Sequence, residues 1–535
     1  MKIALAQINC TAGDLNGNPL KILHACQQAR EARAKLVITP EMALCGSLPE
    51  DWLLRAEFVQ ACHQALMDLA TQIHDVTLVI GHPHRTNGNL LNAVSVIRDG
   101  RLLITYGKNH LLTDPLLDER RYFTPGNQPC TFECDGTLFG LTTFSDYQHP
   151  AHLQALRSAG AQVLLTVGAS PYAIDGQADR LRIVRAGITQ TGLPTVYTNL
   201  VGGQDELVFD GASFAMDHSG KLVCQLAAFQ ETLGLIELHN NQLIPGQCSP
   251  LPDRIESVYS ALRLGLRDFI DKNRISGVLI GLSGGVDSAL VLAIAVDALG
   301  ADRVSNVMMP SPYTADISLE DAQIMAGNLG VHYTEIHITE LFEQFKQTLH
   351  PALQTWPTTG PQTTMENLQA RIRGTLLMAL ANQSGRLVLT TSNKSETAVG
   401  YSTLYGDMAG GFSILKDVSK TLVYQLCHYR NRISPIIPER ILQRPPSAEL
   451  RPDQTDQDNL PPYAVLDAII AAYVENNLSP AEIIAMNYPE ETVRQVLHMI
   501  HSCEYKRRQA APGIRITRRD FGPSWRFPIT SGFRQ

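Results

Sequence analysis

The sequence predicts two α/β domains in tandem. The first reads as a sandwich of two β-sheets between helical layers, and the second as a domain built on βαβ units. Three observations carry this. Strand-like runs recur through the first half with helical stretches between several of them: KIALAQI, KLVITP, VTLVIGHP, AVSVIRDG, RLLITYG, GTLFGLTTF and AQVLLTVG. Near 240–254 the pattern breaks into HNNQLIPGQCSPLPD, whose Asn, Gln and Pro content suits a linker. Beyond it, 278–340 is βαβ-like, and the chain then becomes more helical, with a polar Pro-rich loop near 444–462. Domains are therefore expected at 1–243 and 257–535, joined by 244–256. No internal repeat is visible.

The chain has 535 residues, 44% hydrophobic and 18% charged, the balance of an ordinary globular enzyme. A net charge of −8 argues against general affinity for nucleic acid or acidic membranes. The ten cysteines form no CxxC pair; Cys130 and Cys134 have no second pair to complete a zinc site. They read as thiols of a reducing compartment. MKIALAQINC turns polar too soon for a signal peptide, and no apolar run reaches the length of a membrane span. A cytoplasmic location is expected.

The most informative stretch is GLSGGVDSAL. It follows the apolar run Val278-Leu279-Ile280 and precedes LVLAIAVDALG, so it joins a buried strand to a helix. Gly284 and Gly285 allow a sharp turn that aims several backbone N–H groups at one anion. Ser283 and Ser288 add hydroxyl donors, and the helix N-terminus adds partial positive charge. Asp287 is out of place in a bare anion nest, but fits if a divalent cation links it to phosphate oxygens. The GxxxxGK[ST] spacing of a Walker loop is absent.

The SGGxDS pattern resembles the pyrophosphate-binding loop of the N-type ATP pyrophosphatases. That resemblance implies a doubly wound parallel sheet of the adenine nucleotide α-hydrolase-like class, and transfer of AMP to a carboxylate or carbonyl oxygen. Further clusters follow in order: MPSPYTADISLEDA, ENLQARIRG, TTSNKSETAVGYSTLYGDMAGG, KDVSKT, PPSAELRPDQTDQDNLPPY and EYKRRQAAPG. Together with the loop they closely resemble the NAD synthetase family over essentially all of 260–535.

The resemblance implies a two-step ligase. The carboxylate of deamido-NAD attacks the α-phosphate of ATP, and ammonia then displaces AMP from the adenylate. By motif, Asp287 and Glu396 would hold Mg²⁺. Gly281, Leu282, Ser283, Gly284, Gly285, Val286, Asp287, Ser288, Thr391, Lys420 and Ser447 would contact ATP. Asn367, Arg371, Glu396 and Lys506 would surround deamido-NAD. Elsewhere Lys420 and Lys506 would read as solvated surface charges; the motif context reverses that. The family also implies an oligomer built on a homodimer.

The first half resembles the nitrilase-like (CN hydrolase) glutaminase domain fused to glutamine-dependent NAD synthetases, an αββα sandwich. LVITPEMALCGSLPEDW places Glu41 at the family's general base, ITYGKNHLL places Lys108 at its lysine, and NLVGGQDELVFDGASF is a further match. Where the family reads roughly GLLICEDIW, this chain reads GLTTFSDYQ, with Phe144 at the position of the nucleophilic Cys. A phenyl ring cannot form an acyl intermediate. Ser145 is adjacent, but successive strand residues face opposite ways. Asp114 replaces a glutamine-holding Tyr, and Gln177 replaces a Lys. These changes predict a domain without glutaminase chemistry, in which Glu41 and Lys108 persist as a structural ion pair. An NAD synthetase using free ammonia is therefore the leading expectation. The alternative is glutamine-dependent synthesis through an unrecognised nucleophile or a partner glutaminase. A non-catalytic nucleotide-binding regulator, or an amidase acting on another amide, are the remaining readings.

Overall fold

The computed structural model describes residues 1–114, 116–357 and 363–533. The chain divides into two compact units, Met1–Arg254 and Ile255–Gln535. The helix Arg254–Lys272 begins inside the segment 244–256, so the end of that stretch is helical. No helix among the described residues is long and apolar enough to cross a membrane.

The first unit holds a seven-stranded and a six-stranded sheet. In the first strand, Lys2–Gln7, Ile3 and Leu5 face one way and Ala4 and Ala6 the other, the period-two pattern of a strand buried on both faces. Ile3 and Leu5 join Val79 and Val94 of their own sheet, and meet Phe139, Leu141, Val163 and Val196 of the other. This is the sheet-on-sheet core. Ala4 and Ala6 instead pack under the helices Gly17–Glu31 and Ala56–Ala70. The helices Pro150–Ser158 and Gly176–Thr191 cover the outer face of the six-stranded sheet. The result is a helix–sheet–sheet–helix stack.

The second unit is built on a parallel sheet ordered His332–Glu335, Val304–Met308, Val278–Gly281, Leu387–Thr390, Phe412–Ser413. In chain order that is 3-2-1-4-5, the doubly wound arrangement. The order reverses between Val278–Gly281 and Leu387–Thr390, so connections leave these two neighbours in opposite directions. A crevice opens beyond their C-terminal ends, where such folds bind ligands. The glycine loop leaves the first strand, and TSNKSE leaves the second. The helix Val286–Leu299 is apolar almost all round and buried along most of its length, as a helix enclosed by other elements must be.

A buried ion pair ties the first unit together. Arg180 contacts Asp210, and both side chains are almost fully buried. Replacing Arg180 with Met leaves the Asp210 carboxylate buried and unpaired. We expect a loss of about 3–5 kcal/mol of stability in the first unit, read by urea unfolding. A change within about 0.5 kcal/mol, the range of an ordinary surface substitution, would show that the pair is not needed.

Candidate functional site

The crevice of the second unit contains a cavity of roughly 300 Å³. Its lining includes Gly281, Leu282, Ser283, Gly285, Val286, Asp287, Ser288, Thr391, Glu396, Lys420 and Ser447. Nearly the whole expected ATP and metal set is thus gathered in one place. Gly284 supports the wall from behind. Its φ is +74°, and a Cβ there would lie 2.5 Å from the carbonyl oxygen of Ser318, so only glycine fits. Ser288 Oγ donates to the carbonyl of Gly285 and lies 3.0 Å from Ser283 Oγ, which holds the turn closed.

Three segments meet at one charged cluster. Lys420 Nζ lies 2.5 Å from Asp287 Oδ2 and 3.2 Å from Glu396 Oε1. Each is placed by local structure. Asp287 stands in the first turn of Val286–Leu299, after the glycine loop. Glu396 belongs to a capping box: Asn393 Oδ1 accepts from Glu396 N at 3.0 Å, and Glu396 Oε2 accepts from Asn393 N at 3.3 Å. Asn393 Nδ2 also donates to Asp287 Oδ1 at 2.9 Å, linking the two loops. Lys420 opens the helix Lys420–Ile433, which is fastened to Val286–Leu299 where Arg430 Nε donates to Asp297 Oδ2 at 2.6 Å.

The electrostatics follow from this burial. Burial disfavours the Lys420 ammonium, but Asp287 and Glu396 outweigh it and raise its pKa, so Lys420 stays charged. Burial pushes the Glu396 carboxyl up to about 8, against the pull of Lys420, and Asp287 adds to the rise. The two carboxylates already hold one cation between them. Two carboxylates that share a divalent ion with substrate phosphates are a donor set suited to Mg²⁺, so Asp287 and Glu396 fit that role. Among the described residues no group of three or more His, Cys, Asp or Glu forms a self-sufficient metal site.

Asn367, Arg371 and Lys506 do not line this cavity. They converge on the neighbouring segment 400–404. Thr403 Oγ1 donates to Asn367 Oδ1 at 2.7 Å, Arg371 Nε donates to the carbonyl of Leu404 at 3.2 Å, and Lys506 Nζ donates to the carbonyls of Gly400 and Ser402 at 2.7 Å. Other residues reach the cavity that sequence reasoning missed: Arg373, Asp407, Arg444 and Glu449. Asp407 is open to the cavity, and its carboxylate accepts from Thr403 N at 2.6 Å. Arg373 lies two residues after Arg371, and only its place on the helix Thr364–Ser384 separates the two.

In the first unit, Lys108 Nζ lies 2.7 Å from Glu41 Oε1 and 2.8 Å from Glu119 Oε1, with the lysine side chain 1% exposed. Burial disfavours the ammonium, and the two carboxylates outweigh it and raise its pKa. Glu119 went unread in the sequence, as did Asn92, whose Nδ2 donates to both carboxylates. Phe144 lies at the junction of the strand Thr137–Thr143 and the short helix Phe144–Tyr147, its ring 5.3 Å from that of Tyr197.

The strand reading of 144–145 is corrected here. The strand ends at Thr143, whose side chain caps the helix by accepting from Asp146 N. Ser145 is nonetheless turned away, donating its hydroxyl to the carbonyl of His110 at 2.6 Å. Asp146 fastens the turn, accepting from Tyr106, Thr143, the ring of His110 and the backbone N–H groups of Asn109 and His110. Asp114 is exposed, and its carboxylate caps its own turn by accepting from Leu116 N and Leu117 N; Pro115 lies outside the described residues. Gln177 donates to the carbonyl of Ala212 at 3.0 Å and accepts from Arg180 Nε at 2.7 Å.

Comparison with known proteins agrees with this division. Residues 2–244 match the carbon-nitrogen hydrolase family and residues 258–510 match the NAD synthase family. The chain is 43% identical, over all of its own length and 99% of the relative's, to a glutamine-dependent NAD(+) synthetase of Acinetobacter baylyi. It is 40% identical, over the full length of both, to that of Aquifex aeolicus. The solved structure of the glutamine-dependent NAD+ synthetase of Acinetobacter baumannii, in complex with ADP, superposes with a TM-score of 0.81 at 40% identity, covering 99% of this chain and 98% of that one. A structure from Cytophaga hutchinsonii, at 23% identity and a TM-score of 0.84, shares the fold. With a carbon-nitrogen hydrolase domain ahead of its synthase domain, the chain belongs to the two-domain NAD synthetases, a family of ligases that form a carbon–nitrogen bond.

Proposed function

We propose that the chain converts deamido-NAD to NAD through an adenylate, with ATP cleaved to AMP and pyrophosphate. The observation that carries this is the meeting of the glycine loop, Asp287, Glu396 and Lys420 in one cavity. A carboxylate is a poor electrophile until it bears a leaving group. AMP supplies one, and ammonia then displaces it to give the amide. Little covalent work falls on side chains, so positioning and charge placement supply the catalysis. The backbone N–H groups of 283–286 bind the phosphates. Lys420 supplies a fixed positive charge. Asn367, Arg371 and Lys506 hold the segment 400–404 for deamido-NAD. Mg²⁺, when bound by Asp287 and Glu396, would neutralise phosphate charge.

The nitrogen source separates two readings. The relatives are named glutamine-dependent, and those names favour glutamine over the free ammonia that the sequence puts first. Glutamine use and a phenyl ring at position 144 are compatible if another nucleophile, or a separate glutaminase, releases the ammonia. Free ammonia as the physiological donor is the second reading, supported by Phe144. In both, the synthase site consumes neutral ammonia.

Three outcomes follow. Asp287→Asn should lower pyrophosphate formation by about a hundredfold or more in protein that circular dichroism shows to be folded; near-normal activity would remove Asp287 from the site. With ammonium as donor the purified chain should make NAD, and at fixed total ammonium the rate should climb with pH as the neutral form grows. If a separate glutaminase supplies the nitrogen, glutamine should support synthesis only when one is added. Glutamine-driven synthesis by the chain alone would reveal a nucleophile other than residue 144.

A further inference from the structure

Among the described residues, three cationic side chains line the synthase cavity: Arg373, Lys420 and Arg444. They are not equivalent. Lys420 is engaged by Asp287 and Glu396. Arg373 donates Nε to the carbonyl of Met309 at 2.9 Å, at the apolar end of the cavity where Met309 and Leu377 close on Gly281. Arg444 alone reaches the turn of the glycine loop. Its Nη2 donates to the carbonyl of Gly284 at 2.9 Å and its Nη1 to Ser318 Oγ at 2.8 Å.

This contact joins three segments. Ser318, itself fully buried, donates to Glu449 Oε1 at 2.6 Å, and Glu449 Oε2 accepts from Ala315 N at 3.3 Å. Glu449 lies 3.5 Å from Arg444, so it balances part of the arginine charge without a close fork. The side chain of Arg444 is 26% exposed. A guanidinium has more N–H groups than the two contacts made here, and the remaining donors are those of a planar fork suited to phosphate.

Resting on the NAD synthetase reading, we propose that Arg444 binds the pyrophosphate half of ATP and takes up its charge as it leaves. In the first step a deamido-NAD carboxylate oxygen bonds to the α-phosphorus. The bond from that phosphorus to the bridging oxygen breaks, and its electron pair departs with pyrophosphate. Negative charge grows on the group seated in the glycine loop, where Arg444 is already fixed. A preorganised cation at the point of developing charge lowers the barrier more than one that must be recruited. The Gly284 and Ser318 contacts are the means by which the loop and the arginine keep one geometry.

The test is isotope exchange between pyrophosphate and ATP, dependent on deamido-NAD and run without ammonia. Wild type, Arg444→Gln, Arg444→Lys and Ser318→Ala are compared, each after its melting curve is recorded. We expect R444Q to lose about a hundredfold in exchange, with a raised KM for pyrophosphate and an unchanged KM for deamido-NAD. R444K, which keeps the charge but not the fork, should recover part of the loss. S318A, which removes one of the two contacts and keeps the guanidinium, should lose far less than R444Q. Exchange by R444Q close to wild type overturns the proposal. So does an S318A defect as large as that of R444Q, which would make Arg444 a loop fastener only. Should R444Q not fold, R444K and S318A decide: an unaltered pyrophosphate KM in R444K also overturns it. No exchange by the wild type would overturn the adenylation reading itself, which is a different result from normal exchange by R444Q.

Discussion

The bridge from Lys420 to Asp287 and Glu396 is the interaction on which the synthase site depends. Two carboxylates delivered from the ends of neighbouring strands would repel at this separation, and burial raises the Glu396 carboxyl until a proton or a cation arrives. The ammonium of Lys420 provides that cation from a third segment. It stays charged because both carboxylates face it, even though burial opposes the charge. The Lys420 bridge thereby joins the two sides of the crevice between Val278–Gly281 and Leu387–Thr390. The capping box at Asn393 and the link from Asn393 to Asp287 fix the carboxylates on either side.

The two units treat buried charge in related ways. Lys108 sits between Glu41 and Glu119 as Lys420 sits between Asp287 and Glu396. Breaking either triad would strand a carboxylate in a low-dielectric site, a costly outcome. In the synthase unit, however, the cluster lines a cavity with a glycine loop and further cations beside it. In the first unit a phenyl ring stands at position 144, packed near Tyr197.

Much of this was legible in the sequence because the governing patterns are local. The β-branched runs marked strands at 2–7, 77–86 and 163–168, and the glycine loop marked the turn before Val286–Leu299. Gly284 could be read from its turn, although the reason only glycine fits is a tertiary one, the carbonyl of Ser318. What escaped was set by tertiary approach. Glu119 reaches Lys108 across a loop, and Asn92 donates to the carboxylates of Glu41 and Glu119. Arg373 and Arg371 differ by two helix positions, and facing alone decides which meets the cavity. The capping of its own turn by Asp114 also appears only in the structure. The Asn393–Glu396 capping box was written plainly as Asn followed three residues later by Glu, and was simply not read.

The central claim is that a deamido-NAD carboxylate is activated by adenylation in the cavity of the second unit. The most direct test uses deamido-NAD carrying ¹⁸O in the nicotinate carboxylate, with ATP, Mg²⁺ and ammonium, and mass analysis of the products. Adenylation predicts that label appears in the phosphate of AMP, because the oxygen that attacked the α-phosphorus leaves with it. Label in pyrophosphate or orthophosphate, or none outside NAD, would contradict the account.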